Sequence, residues 1–169
     1  MTERDELLDD RYDEPPPQPA RALNVKELDR VLRFISEHRR QHNQSVWVYQ
    51  SGSRPPEGKT WNCETTACLA GWTALLNGWA EAPHSTDVVW RRDGWGGVEE
   101  RTVGVVAAEL LGLTDEQADV FFTDTSSLED LETLANVVRV EPTATANHLL
   151  SVLDDLNDDD DDQDDEEDE

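Results

Sequence analysis

The sequence predicts a mainly α fold: a compact bundle of about five or six helices around a buried central helix, with a short β-hairpin or small sheet beside it. Three observations carry this expectation. Apolar residues recur at spacings of three and four in successive segments from Val25 to Leu156. One segment, from about Thr66 to Leu76, is apolar on both faces, as the centre of a domain is. Capping and stopping residues, among them Asn24, Gly112, Thr114 and Ser127, stand at the segment ends.

The chain divides by composition. Residues 1–21 read as an acidic, proline-rich arm, with prolines at 15, 16, 17 and 19 fixing φ and removing backbone donors. Residues 157–169 are an acidic tail with eleven carboxylates and no base. Both ends are expected to be disordered, and residues 22–156, which hold nearly all the aliphatic side chains, are the helical domain.

Within the domain, Asn24 with Glu27 makes a capping-box-like start, and Val25, Leu28, Val31, Leu32, Ile35 and His38 share one face of a helix from Val25 to about Arg40. Lys26, Arg30, Arg33, Glu37 and Arg40 line its other face, the most basic surface in the sequence. Ser45 to Gln50 alternates and is β-branched or aromatic, which favours a short strand, and SGSRPPEGK after it reads as a loop. The Thr66–Leu76 helix, capped by Glu64 or Thr65 and stopped at Asn77-Gly78, has a small row (Ala67, Ala70, Gly71, Ala74) and a bulky row (Cys68, Trp72, Leu75, Leu76, Trp79). The small row lets another backbone come close. Asp93-Gly94 sits between two β-favouring runs in Asp87–Val98, a hairpin signal. Helices follow at Val103–Leu111, Thr114–Phe122, Leu128–Arg139, and from Pro142 to Leu156 with Ala146, Leu149, Leu150, Leu153 and Leu156 inward.

Composition excludes several classes. The net charge of -25 repels nucleic acid and anionic lipid, so no direct nucleic-acid binding is expected. No stretch approaches eighteen apolar residues and no basic-then-apolar leader opens the chain, so a cytoplasmic protein without a membrane span is expected. No P-loop, dinucleotide fingerprint or HExxH motif occurs, and no cofactor is expected.

The segments Cys63–Trp72 (CETTACLAGW) and Ala107–Phe122 (AAELLGLTDEQADVFF) resemble a family of small uncharacterised proteins of actinobacterial phages and bacteria. That family carries a C-x-T-x-A-C-x-A-G-W-type segment followed by an L-G-L-T-x-x-x-A-type segment. The resemblance covers about two thirds of the chain and implies a phage-encoded accessory protein, with no activity attached. The acidic tail and the tryptophan-rich stretch around Trp90 and Trp95 depart from it.

Cys63 lies before the expected helix start and Cys68 about one turn in, so the helix dipole could lower the pKa of Cys63 and make a thiolate. A nucleophile needs a base as well, and His38, His42, His84 and His148 carry no signature that places one beside it. A zinc site could draw on C-x4-C with His84 and a further histidine, but the second half of a finger is missing. Against these stand a reversible Cys63–Cys68 disulfide and the plain reading of both as core-filling residues. Of the six tryptophans, Trp90 and Trp95 flank the expected hairpin turn and are the candidates for contact with a partner. The tail carboxylates at Asp158, Asp159, Asp160, Asp161, Asp162, Asp164 and Asp165 solubilise the chain, imitate a nucleic-acid backbone toward a basic cleft, or fold back on the basic stripe of the first helix. The expected function is therefore non-enzymatic: a phage-type accessory protein that binds a basic host protein, in its sharper form as an acidic nucleic-acid mimic. The alternative is a cysteine-dependent enzyme or redox protein using Cys63 and Cys68.

Overall fold

A computed structural model describes residues 21–49, 65–83, 85–92, 94–124 and 126–158. Of the expected arm only Arg21 falls in this set, and of the tail only the backbone of 157 and 158; Cys63, Trp61, His84, Asp93 and the tail from Asp159 onward lie outside the described residues.

Asn24 caps the first helix, α1 (Val25–Glu37), by accepting the Glu27 N–H on Oδ1 at 3.2 Å. Leu28, Val31, Leu32 and Ile35 are buried along one face, as their spacing predicts. The helix ends at Glu37, before the expected Arg40, because the chain tightens into a 3-10 turn at Arg39–Gln41. That turn leaves the Gln41 carbonyl to accept the Trp72 indole N–H at 3.0 Å.

The central helix is shorter than expected. Thr66 and Ala67 are not its first turn but a two-residue strand, β2 (Thr66–Ala67), antiparallel to β1 (Val48–Tyr49). The backbone at this point is claimed by the preceding segment, since Cys68 N–H donates to Val46 at 2.7 Å and Ala67 accepts from Asn43 N–H at 3.2 Å. Helix α2 (Leu69–Leu76) then starts with Cys68 as its N-cap, and every residue from Leu69 to Leu75 is buried. The small row acts as its composition implies: a Cβ on Gly71 would stand 1.7 Å from the Trp47 carbonyl oxygen, so the backbone of the β1 segment lies directly on the helix.

Strands β3 (Ala80–Ala82), β4 (Ser85–Arg92) and β5 (Val98–Thr102) form an antiparallel sheet in that order, with a register shift at Glu81/Ala82. Strands β4 and β5 pair as far as Arg92 opposite Val98, so five positions separate them rather than the two of an Asp93-Gly94 turn. Four further helices follow: α3 (Val103–Leu111), α4 (Asp115–Phe121), α5 (Leu128–Val140) and α6 (Ala146–Asp158). Gly112 ends α3 at φ +70°, and a Cβ there would meet the Ala22 carbonyl oxygen at 2.0 Å. Asn24 donates to the last α3 carbonyls, from N–H to Leu111 at 2.8 Å and from Nδ2 to Leu110 at 3.0 Å, so the start of α1 closes the end of α3. Pro142 does not open α6. It lies in a turn, and the helix starts four residues later, with Thr145 Oγ1 accepting the His148 N–H at 3.3 Å. On α6, Leu149 is fully buried, but Leu150 and Leu156, expected inward, are exposed.

The fold class is thus mixed α/β and not mainly α: the structure is about 54% helical and 18% strand, with two small antiparallel sheets, although the six helices among the described residues match the expected number. The sequence pattern does not show β2 and β3, two and three residues of Thr, Ala and Glu, whose pairing comes from partners elsewhere in the chain and leaves no local periodicity. It also places the second hairpin strand too early, since β5 shares only Val98 with the expected Asp87–Val98 span.

Candidate functional site: an apolar groove with a carboxylate rim

The Trp47 carbonyl is held against Gly71, which turns the indole outward onto the start of α3 and the end of α4. Its ring meets Phe122 edge-on, with centroids 6.3 Å apart and planes at 72°. Gly104, in the first turn of α3, has its Cβ position 3.5 Å from the Trp47 ring, so the indole lies close over the helix. Together with Val105, Ala108 and Ala118 these side chains floor a groove of about 460 Å³. That volume lies within the range of small-ligand and side-chain pockets. Trp47 is 36% and Val105 46% exposed, so the apolar floor is open to solvent.

The rim is acidic. Asp87 enters from β4, and Asp115 and Asp119 from one face of α4. Asp87 accepts a hydrogen bond from Ser85 Oγ, and Asp115 lies 3.9 Å from Arg21. No cation pairs with Asp119 among the described residues. Asp115 and Asp119 are also four residues apart on a helix, where like charges repel.

The position of α4 under this groove is fixed from both ends. Thr114 and Gln117 form the capping box that their spacing predicts, at 3.1 and 3.2 Å, and the buried Gln117 also donates from Nε2 to Pro142 and Ala144 at 2.9 and 3.0 Å. At the other end Gln44, buried, donates to the Phe121 carbonyl at 2.9 Å while its Oε1 accepts the Leu69 N–H at 3.1 Å. One glutamine side chain therefore ties the end of α4 to the start of α2. His42 Nε2 lies 3.2 Å from the same Oε1, and burial lowers the imidazole's pKa against the raising effect of that hydrogen bond.

Cys68 does not present a reactive thiol. It is 1% exposed, its Sγ accepts the Gly71 N–H at 3.4 Å, and its S–H faces the Trp47 carbonyl at 3.7 Å. Burial pushes its pKa up to about 11, against the lowering effect of the backbone N–H groups, so at neutral pH it stays protonated. Cys63 lies outside the described residues. Among the described residues no three His, Cys, Asp or Glu side chains are grouped to hold a metal ion.

The two candidate tryptophans differ. Trp90 is partly buried in β4 and donates its indole N–H to the Glu81 carbonyl at 2.9 Å, whereas Trp95, at the hairpin tip, is 98% exposed. Of the basic stripe, Arg30 is turned onto Glu27 at 2.6 Å, leaving Lys26, Arg33 and Arg40 exposed without that engagement. Burial pushes the Glu27 carboxyl up, but hydrogen bonds from Arg30 and Asn77 with the charge of Arg30 outweigh it and hold the group below its usual range. Asp158 ends α6, and the remaining tail candidates, Asp159 to Asp165, lie outside the described residues. The groove is not among the sites expected from the sequence. Its parts come from β4, the end of β5, α3, α4 and the segment before β1, so no local motif marks it.

Among the described residues no helix is long and apolar enough to cross a membrane. No known protein family, curated protein or solved structure matches the chain, so the resemblance carried by CETTACLAGW and AAELLGLTDEQADVFF rests on those residues alone.

Proposed function

We propose that the chain is a non-enzymatic accessory protein, of the phage type its motifs resemble, that binds a basic protein partner. The observation that carries this reading is the open apolar groove with three carboxylates at its rim, on a chain of net charge -25. An apolar floor contributes contact energy by excluding water, while the acidic rim and the acidic tail raise the rate of encounter with a cationic surface. A nucleic-acid mimic is the form in which the tail supplies most of the attraction. The rival reading, a cysteine enzyme or redox protein, loses support from Cys68, which is buried and protonated.

The test is capture of partners from lysate of a candidate host with the full chain and with a chain ending at Leu156, at low and moderate salt. Basic proteins released by salt are the expected catch. Capture that is indifferent to salt counts against the electrostatic reading. Loss of capture on truncation assigns the contact to the tail, and its retention assigns it to the folded domain.

A further inference from the structure

Elsewhere in the same molecule a guanidinium, an indole and a carboxylate are stacked together. Arg91 lies over the Trp79 ring with its Cζ 4.3 Å from the centroid, and its Nε donates to Glu99 Oε2 at 2.9 Å. This grouping joins two favourable interactions of arginine, since the weakly hydrated planar cation attracts the ring face while its edge meets a carboxylate.

The groove presents two of these three partners to solvent. Trp47 supplies the indole; Asp119, without a cationic partner among the described residues, supplies the carboxylate, with Asp115 one turn before it and Asp87 also lining the groove. Beside them Val105, Ala108, Ala118 and Phe122 form a floor that no charged group satisfies. We infer that the groove takes a short protein segment with an arginine next to an aliphatic residue: the guanidinium stacks on Trp47 and pairs with Asp119, and the aliphatic side chain covers the floor. This inference rests on the protein-binding reading and narrows its partner to an arginine-bearing segment. Lysine fits less well, because its ammonium is compact, strongly hydrated and unable to stack or to bridge a carboxylate through two donors.

The probe is a fluorescein-labelled peptide, Gly-Ser-Leu-Arg-Leu-Ser-Gly, followed by anisotropy against the chain ending at Asp158, with the full chain alongside. Comparison peptides carry lysine or the uncharged arginine analogue citrulline at the central position, or serine for both leucines. Asp119→Asn and Trp47→Leu are the protein variants, each checked for native unfolding behaviour in urea; Asp119 is exposed, so its variant keeps the fold even where the Trp47 variant does not. Binding of the arginine peptide about tenfold tighter than the citrulline and serine peptides, and a similar loss in Asp119→Asn, is expected for a charge pair beside a stacked ring. Binding that is equal for arginine and citrulline, or unchanged in Asp119→Asn, overturns the inference. So does binding by the full chain alone, which places the peptide on the tail, and self-association of the protein that the peptide does not disrupt, which makes a second copy the occupant. The broader reading fails separately: it falls if neither the full chain nor the chain ending at Leu156 captures a basic protein in a salt-sensitive way.

Discussion

Gly71 carries a constraint that no other residue type can meet. Its Cβ position is 1.7 Å from the Trp47 carbonyl oxygen, a separation that neither backbone can accommodate without moving. Gly71→Ala gains helix propensity of about 1 kcal/mol, but overpacking of a close backbone contact costs about 3 kcal/mol, so a net loss of about 2 kcal/mol is expected in urea unfolding. Gly104→Ala is the contrasting case. Its Cβ would sit 3.5 Å from the Trp47 ring, an ordinary contact, and the variant is expected to gain about 0.5 kcal/mol by the same measurement. The sequence shows both glycines inside helical patterns and cannot tell them apart, because the difference lies in a carbonyl brought from twenty-four residues earlier. Cys68 is a similar case: its core-filling role was legible in the bulky row, but its place as N-cap was not, since pairing of β1 with β2 decides where α2 begins.

His42 gives the residue scale its pH dependence. Burial holds the folded imidazole below the ordinary value near 6.5, which the unfolded chain keeps. Below that value the unfolded state binds a proton that the folded state does not, so stability is present above about pH 6.5 and falls as pH drops toward the folded value. Urea midpoints measured from pH 7.5 to 5 are expected to decline, and His42→Gln to decline less over that window. Equal slopes overturn the assignment.

At the scale of elements, the helices with strong amphipathic patterns and capping boxes were readable, and the sheet was only partly so. Asn24, Thr114 and Ser127 cap α1, α4 and α5 as their spacing implied, because a cap is a contact between near neighbours in sequence. Strands β2 and β3 depend on partners across a loop or a hairpin, and the α5–α6 connection depends on Gln117. Gln117 combines both kinds of contact, since its Oε1 completes the α4 capping box while its Nε2 satisfies two carbonyls in the turn before α6. Gln117→Leu leaves those carbonyls and the Thr114 N–H without that partner, and at about 1 kcal/mol for each group a loss of about 3 kcal/mol is expected in urea unfolding. Gln117→Met, matched in length, should lose as much. Recovery of native stability by that variant would show that packing, not hydrogen bonding, is what the side chain contributes.

For the whole molecule, charge sets the balance. The two ends hold fifteen of the net twenty-five negative charges by count, residues 1–21 contributing four and 157–169 eleven, so the described domain is itself acidic. Among the described residues the ion pairs are mostly exposed, such as Arg101 with Glu109 at 2.5 Å and Arg91 with Glu99 at 2.9 Å. Such pairs are worth about 0–1 kcal/mol each, while exposed carboxylates such as Asp119 and Glu116 have no cation beside them among the described residues. Screening therefore relieves more repulsion than it weakens attraction. Raising sodium chloride from about 0.02 to 0.5 M shortens the Debye length from about 20 Å to about 4 Å and is expected to raise the urea midpoint. The same change weakens any contact with a cationic partner, so stability and binding should move in opposite directions with salt. A midpoint that falls with salt would mean that the paired charges outweigh the repulsion, and the acidic surface would then be a stabilising network and not a reserve of charge for a partner.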